Sequence, residues 1–484
     1  MPGVVQKFLT KYQQMSAPSK ASLWYTVCNV MLKGIALLTT PIFTRILSQE
    51  QYGQYALFQS WYSIISIFAT LNLFQSVYSK GLLVYEKKEK EFTSSLVGLT
   101  SLITVLLGVV FFCNIELCEQ ILGLPRVLIF AMFVELIAMT GVEFWAARER
   151  FEYRYKKYVI VTIMTTVLSI VIGISTVLLN DVYKVEARVF SDVFAKAIFG
   201  MPLYIYLLYS GRKFFKKEYW KYALLFNLPL IPHFLSTFAL NQADRIMIGK
   251  MAGEAEAAIY SISYTIATMI ILVVTALNNA LIPYIYKTIK AGDYSEIVNS
   301  TRVHFVIIAV LCLLTMVFAP EVIMIFAGNE YAEAIDIIPP IATSVYFIFV
   351  YSMFSTVEYY FQKTGLLAAA SVSSAGINIV LNYIFIESFG YKAAGYTTLA
   401  SYILLAIFHY YYYRRTIKKE MQSQIHMFDL KLIVLVGCVL FGVMLVMLLL
   451  YQNIWIRYGT ILVLGIVAVI KRKTLITVVK GVLR

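Results

Sequence analysis

Long apolar runs, each near the length of one transmembrane helix, divide this sequence from end to end. A bilayer core about 30 Å thick is crossed by an α-helix of roughly 20 residues. The runs are continuously apolar, which excludes the alternating strands of a membrane barrel. With 60% hydrophobic and only 14% charged residues, the chain also departs from the composition of a soluble domain. The sequence therefore predicts an all-α polytopic membrane protein.

Windows of this length give about fourteen transmembrane helices. We predict them at residues 22–43, 54–76, 93–114, 125–146, 158–179, 186–208, 223–248, 257–282, 303–320, 337–358, 366–386, 393–413, 431–451 and 455–470. No segment between them is long enough to fold as a separate domain. The sequence shows no metal-binding triad, nucleophile elbow or phosphate loop, so we expect a protein that is not an enzyme.

Lysine and arginine concentrate in every second gap between the apolar runs, and the other gaps carry few. The basic clusters are Lys87, Lys88 and Lys90; Arg148, Arg150, Arg154, Lys156 and Lys157; Arg212, Lys213, Lys216 and Lys217; Arg414, Arg415, Lys418 and Lys419; and Lys471, Arg472 and Lys473. Basic loops remain on the cytoplasmic side, so both termini are predicted inside. Orientation and contact with anionic membrane lipid explain most of the net charge of +14 without a nucleic-acid partner.

Two weak internal echoes indicate a repeat. Residues 169–188 align with 377–396 at a constant offset, and residues 44–46 align with 244–246, each followed by a tyrosine, Tyr55 or Tyr260. The echoes predict two parallel six-helix bundles with two further helices appended. The predicted divisions are 1–210, 211–414, and 415–484 for the appended spans and cytoplasmic tail. Parallel repeats of this kind place a substrate cavity between the two bundles.

Residues 378–386 and 389–402 resemble the signature of bacterial polysaccharide-precursor flippases of the Wzx-like, O-antigen and capsule group. Residues 229–233 and 241–245 resemble the seventh span of the same group, which belongs to the multidrug/oligosaccharidyl-lipid/polysaccharide exporter superfamily. The resemblance implies a V-shaped pair of bundles in the bacterial cytoplasmic membrane. Such a protein carries an undecaprenyl-diphosphate-linked oligosaccharide from the inner to the outer leaflet by alternating access. A polysaccharide polymerase and glycosyltransferases are the implied partners, and the oligomeric state stays open, with a monomer sufficient.

Four basic residues are candidates to contact the anionic head group of such a lipid. Lys33 and Lys196 lie near the middle of spans 1 and 6, where a charge facing lipid costs at least about 2.5–3.5 kcal/mol. Arg45 and Arg245 stand at the outer ends of spans 1 and 7, at repeat-related positions. We interpret all four as residues that line the substrate cavity.

Each of these basic residues also has a purely structural interpretation. Lys196 has the spacing for an intrahelical pair with Asp192. Lys33 could instead pair with Glu135 or Glu143 of span 4. The two arginines could instead extend their side chains from the span ends to the interface. The sequence leaves these alternatives open.

The resemblance also implies a sodium site, known from the lipid II flippases of the superfamily. The matching positions are Asp244, Asn378, Asn382, the carbonyl of Ala394 and Thr398. The second ligand on span 11 is an Asn here where those proteins have an Asp, which leaves one carboxylate fewer for a hard cation. Sodium and proton coupling are therefore both open, as is a simple helix-capping role for Asp244. We expect no other cofactor.

Pro229 and Pro232 remove two backbone donors within span 7 and should bend it. The bend is either a gate, a frequent use of broken helices in transporters, or a static kink. The alternative function is a cation-coupled multidrug or metabolite exporter of the same superfamily.

Overall fold

A computed structural model describes residues 15–75, 77–421, 425–453, 455–459 and 462. Over these residues the chain consists of helices joined by turns and short loops, and no strand occurs there. Eleven of the described helices are long and apolar enough to cross a membrane. The predicted all-α polytopic fold is confirmed.

Two of the predicted spans form helices that are less apolar than the other eleven. Residues 54–76 correspond to the helix Gln49–Thr70, and residues 393–413 correspond to the helix Ala393–Glu420. Glutamine, serine and tyrosine side chains lower the hydropathy of the first, and a basic end lowers that of the second. Most of the fourteenth predicted span, 455–470, lies outside the described residues.

The helices pack into two compact units, Met1–Phe234 and Leu235–Arg484. The first unit contains α1 (Ala17–Ile46), α2 (Gln49–Thr70), α3 (Val77–Val84), α4 (Glu89–Cys113), α5 (Ile115–Leu122), α6 (Arg126–Phe151), α7 (Tyr155–Leu179), α8 (Lys184–Gly211) and α9 (Lys217–Asn227). The helix α10 (Ile231–Phe238) spans the division. The second unit contains α11 (Asp244–Met251), α12 (Glu254–Ala267), α13 (Ile270–Ala291), α14 (Tyr294–Val317), α15 (Ala319–Phe326), α16 (Ile338–Tyr360), α17 (Thr364–Phe389), α18 (Ala393–Glu420) and α19 (Leu430–Leu450).

Helices α6 and α8 of the first unit cross at two glycines. A Cβ atom on Gly200 would lie 2.3 Å from the carbonyl oxygen of Ala138, and one on Gly141 would lie 2.4 Å from the carbonyl oxygen of Gly200. Small residues allow helix backbones to approach closely in a membrane. This crossing therefore fixes α8, the helix that carries Lys196.

The first half of predicted span 7 packs with the first unit. Asn227 at the end of α9 donates a hydrogen bond to the carbonyl of Leu71, and Nε1 of Trp220 donates to the carbonyl of Ser95 over 2.9 Å. The packing division therefore falls at Phe234, later in the chain than the predicted boundary between residues 210 and 211. The grouping of residues 415–484 as a separate appended part stays a prediction.

Span 7 is continuous along 217–251 but changes its helical geometry twice. A 3₁₀ turn covers Leu228–Leu230, and a π-helical turn covers Ala239–Ala243 just before Asp244. Pro229 lies in the 3₁₀ turn and Pro232 in the first turn of α10. The irregularity expected from the prolines is present at their position, because neither ring nitrogen can donate to the helix. A gating role for the two prolines stays a prediction.

Candidate cation and head-group sites

Asp244 lies at the start of α11 with 1% of its surface exposed. The π-helical turn directly before it is a feature that often marks functional positions in helices. An isolated carboxylate at this depth is costly to bury unless other groups replace its hydration. The structure supplies those groups from three other helices.

The carboxylate of Asp244 accepts three side-chain hydrogen bonds. Nδ2 of Asn382 on α17 donates over 2.5 Å, and Oγ1 of Thr398 on α18 donates over 2.8 Å. The third donor is the hydroxyl of Tyr260 on α12, which also lies 3.3 Å from Oγ1 of Thr398. These three donors replace part of the hydration that burial removes from the carboxylate.

The remaining predicted ligands surround this contact. Oδ1 of Asn378 lies 3.4 Å from Nδ2 of Asn382, and both side chains are buried. Thr397 donates to Oδ1 of Asn382 and, over 3.0 Å, to the carbonyl of Ala394. The structure thus brings all five predicted cation-coupling residues into one cluster within the second unit. Ala394 joins this cluster through the hydrogen bond that its carbonyl accepts from Thr397. The structure adds Tyr260 and Thr397, which were not predicted as members.

The neighbouring Arg245 forms no ion pair with Asp244. The guanidinium of Arg245 bonds to Oε1 of Gln242 and lies 4.9 Å from the ring centre of Tyr264. Within the described part of the chain, no basic side chain forms an ion pair with the Asp244 carboxylate. A buried acid without an ion-pair partner can accept a proton or an exchangeable cation.

The donor set suits a hard monovalent cation after one change. Carboxylate, hydroxyl and carbonyl oxygens are already present, whereas the amide of Asn382 points its nitrogen at Asp244. The amide nitrogen of Asn378 is buried and has no hydrogen-bond partner among the described residues. Oδ1 of Asn378 already faces Asn382, so rotation of the Asn382 amide alone would present a further oxygen to an ion. The residues therefore fit a cation, with Asn382 as the group that must turn.

In the first unit, Lys196 forms an ion pair with a residue that was predicted to pair with Lys33. Its Nζ lies 2.5 Å from Oε1 of the fully buried Glu135 on α6, and 5.7 Å from the ring centre of Tyr62. The intrahelical alternative with Asp192 is not found, because Asp192 is bonded to Arg188 instead. Lys196 thus faces the bundle interior, although its role in binding substrate stays a prediction.

Lys33 and Arg45 both have exposed side chains on α1. Lys33 forms no ion pair with Glu135, Glu143 or any other residue that the structure describes, so both of its predicted partners are excluded. Nη1 of Arg45 donates to the carbonyl of Pro41 over 3.2 Å, which keeps this side chain along its own helix. The structure does not bring these two residues and Lys196 together.

A polar cavity of about 320 Å³ lies within the first unit. Its wall contains one acid, one base, two amides and four hydroxyls, together with apolar side chains. The lining residues are Tyr62, Ser66, Thr70, Asn72, Phe74, Gln75, Leu136, Met139, Thr140, Glu143 and Arg150. Glu143 was predicted only as a possible partner for Lys33. An acidic residue inside a predicted span was itself the signal that could have located this cavity.

Comparison with known proteins identifies the family. Residues 19–289, more than half of the chain, match the family described as "Polysaccharide biosynthesis protein". The chain belongs to this family. Residues 229–384, which contain most of the Asp244 cluster, also match the MatE family. The predicted resemblance to flippases of the exporter superfamily is confirmed at this level.

Two curated relatives align with most of this chain. "Lsg locus putative protein 1" of Haemophilus influenzae is 23% identical over 377 residues, which are 74% of this chain and 89% of the relative. An uncharacterized membrane protein of Methanocaldococcus jannaschii is 23% identical over 418 residues, which are 79% and 95% of the two chains.

Two solved transporters share the fold of this family member. The lipid II flippase MurJ in an inward closed conformation has a TM-score of 0.67 and 13% identity, covering 94% of this chain and all of the flippase. An inward-facing multidrug resistance MATE family transporter has a TM-score of 0.60 and 16% identity, covering 83% and 96%. The family member is therefore a multi-pass membrane protein with a transporter fold.

Proposed function

We propose that this protein moves an undecaprenyl-diphosphate-linked oligosaccharide repeat unit across the bacterial cytoplasmic membrane. The direction is from the inner to the outer leaflet, by alternating access, and the product feeds O-antigen or capsule synthesis. The observation that carries the proposal is the match to the polysaccharide biosynthesis family over residues 19–289. The proposed orientation has both termini in the cytoplasm.

The chemistry of the cargo agrees with the polar groups inside the spans. A sugar-diphosphate head cannot cross hydrocarbon without a polar path, and its lipid tail needs no such path. The first unit offers a polar cavity beside Glu143 and Arg150, and α8 carries Lys196 close to it in the bundle interior. Basic groups bind diphosphate oxygens, and amides and carboxylates bind sugar hydroxyls. No covalent bond needs to change, so the protein is proposed to act as a transporter and not as an enzyme.

The membrane potential would favour this export. With a potential of about 100 mV, negative inside, the movement of two negative charges out of the cytoplasm releases on the order of 4–5 kcal/mol, at about 2.3 kcal/mol per charge. A cation or proton bound at Asp244 would add a second driving force. The proposed coupling therefore needs only one ion site, and either Na⁺ or H⁺ is proposed to occupy it.

Deletion of the gene tests the proposal directly. The deletion strain should lose its surface polysaccharide and accumulate lipid-linked repeat units on the inner leaflet, and the wild-type gene should restore both. Arg245→Ala is expected to complement poorly while its protein reaches the membrane in normal amounts. Lys196→Ala is tested together with Glu135→Leu, so that no unpaired buried acid lowers the amount of protein, and this pair is also expected to complement poorly. Unchanged polysaccharide in the deletion strain would refute the flippase function.

The second candidate function is cation-coupled export of drugs or metabolites. The match of residues 229–384 to the MatE family favours it, since that region includes Asp244 and its span 11 partners. The MATE transporter, however, covers 83% of this chain, whereas the lipid II flippase covers 94%. Greater sensitivity of the deletion strain to cationic dyes, with normal polysaccharide, would support this candidate instead.

A further inference from the structure

The two units repeat one contact between a tyrosine and a buried aspartate. In the first unit the hydroxyl of Tyr55 donates to Oδ2 of Asp192 over 2.7 Å, and in the second the hydroxyl of Tyr260 donates to Asp244. Tyr55 and Tyr260 are each the seventh residue of their helices, α2 and α12. The two aspartates, in contrast, come from different helices, α8 and α11.

Residues around the two aspartates also correspond between the units when they are counted from the starts of their helices. Counted from the starts of α7 and α17, Ser169 corresponds to Asn378 and Gly173 corresponds to Asn382. Counted from the starts of α8 and α18, Arg188 corresponds to Thr397. Thr397 touches Asn382, and Arg188 likewise lies against Gly173, so the correspondence holds in space as well as in sequence.

The first unit places a guanidinium inside its cluster. Nη1 of Arg188 lies 2.5 Å from Oδ1 of Asp192, an oxygen that also accepts from Ser169. Nη2 of Arg188 donates to the hydroxyl of Tyr55 over 3.2 Å. Arg188 is 8% exposed and Asp192 is 4% exposed. The rings of Phe43 and Tyr55 lie 4.2 Å and 4.9 Å from the guanidinium carbon.

A glycine leaves the space that this guanidinium fills. A Cβ atom on Gly173 would lie 3.0 Å from Nη1 of Arg188, so even an alanine would crowd it. The second unit has the amide of Asn382 at the corresponding position, directed at Asp244. The second unit therefore surrounds Asp244 with oxygens and amides. The first unit instead places the fixed positive charge of Arg188 beside Asp192.

We infer that Arg188 is a tethered cation that occupies, in the first unit, the place that the Asp244 cluster offers to a free cation in the second. The consequence rests on the proposed ion coupling: only Asp244 exchanges ions during transport, and the chain couples to one cation per cycle. The assignment of Arg188 itself can be tested by binding, without any transport assay.

Guanidinium ion is the probe, because it reproduces the head of the missing side chain. The full-length Asp244→Asn variant removes the second-unit site, and Arg188→Ala is added to it. We expect this double variant to bind radiolabelled guanidinium at one site per chain and at least tenfold more tightly than Asp244→Asn alone. Millimolar guanidinium chloride should also raise its unfolding temperature relative to equal sodium chloride. Further addition of Asp192→Asn should abolish both effects.

Equal guanidinium binding by Asp244→Asn with and without Arg188→Ala would overturn the inference. If Arg188→Ala does not fold, the variants Arg188→Lys and Arg188→Gln separate the effect of charge from the effect of side-chain size, because both keep a long side chain at this position. Arg188→Lys keeps a cation beside Asp192 and should remain stable, whereas the neutral Arg188→Gln should be unstable and should recover when Asp192→Asn is added. Equal stability of Arg188→Lys and Arg188→Gln would likewise refute a tethered cation. A protein that proves unable to flip lipid-linked sugar can still give either result.

Discussion

Two substitutions of Asp244 separate its charge from its hydrogen bonds. Both Asp244→Asn and Asp244→Ala remove the buried negative charge, so the desolvation of the carboxylate cancels when the two variants are compared. Asparagine keeps an acceptor oxygen, and its amide can donate to a rotated hydroxyl of Tyr260 or Thr398. Alanine keeps none of these contacts.

The size of the difference follows from the donors that alanine leaves behind. Three buried donors lose their acceptor, but Tyr260 and Thr398 lie 3.3 Å apart and can serve one another, which leaves about two donors unsatisfied. Each buried donor without a partner costs about 1–3 kcal/mol. We therefore expect Asp244→Ala to be less stable than Asp244→Asn by about 2–6 kcal/mol.

Thermal unfolding of the purified wild type and variants in detergent, at several sodium concentrations and pH values, measures this order of stability. Asp244→Asn should also lose any stabilisation that wild type gains from sodium or from added protons. Asp181 supplies the control, since it is exposed in the loop between α7 and α8, and its Asn and Ala variants should unfold together. Equal stability of the two Asp244 variants would refute the described hydrogen-bond cluster.

Three further predictions follow from contacts within single units. Lys196→Met should cost about 3–5 kcal/mol by leaving Glu135 buried without a partner, and adding Glu135→Leu should recover most of the lost unfolding temperature; no recovery would contradict the ion pair. Asn382→Asp should raise the affinity for radiolabelled sodium at least tenfold, since it adds a second carboxylate to the cluster, and an unchanged affinity would exclude a cation there. Gly200→Ala should destabilise by about 1–3 kcal/mol through overpacking of the α6–α8 crossing, whereas Gly34→Ala, which meets no atom within 4 Å, should not.

Span positions were predictable because burial in lipid demands long apolar runs at regular intervals. The same rule found α2 and α18 despite their polar side chains, since glutamine, serine and tyrosine are tolerated where helices pack against each other. The repeat was also visible in the sequence, at an offset one residue smaller than the offset between the helix starts. The sequence alignment pairs Ser169 with Ile377, whereas the helix starts pair it with Asn378.

Partners of buried charges were harder to predict than their positions. Asp192 stands four residues from both Arg188 and Lys196, so spacing along α8 allows either pair. Only the fold decides between them: α6 brings Glu135 to Lys196, and Gly173 opens the space that Arg188 enters. Tyr260 was visible as a repeat residue, but its contact with Asp244 depends on how α12 packs against α11.

The two units differ in the kind of charge that accompanies their buried acids. In the first unit Asp192 is paired with Arg188 and Glu135 with Lys196, so each of these buried acids has a basic side chain of the protein beside it. In the second unit Asp244 is surrounded by neutral donors, and the buried Glu358 lies 3.1 Å from Nδ1 of His409. Asp244 can therefore bind or release an exchangeable cation without breaking an ion pair. A change in sodium concentration should therefore act on the second unit while the ion pairs of the first unit stay in place.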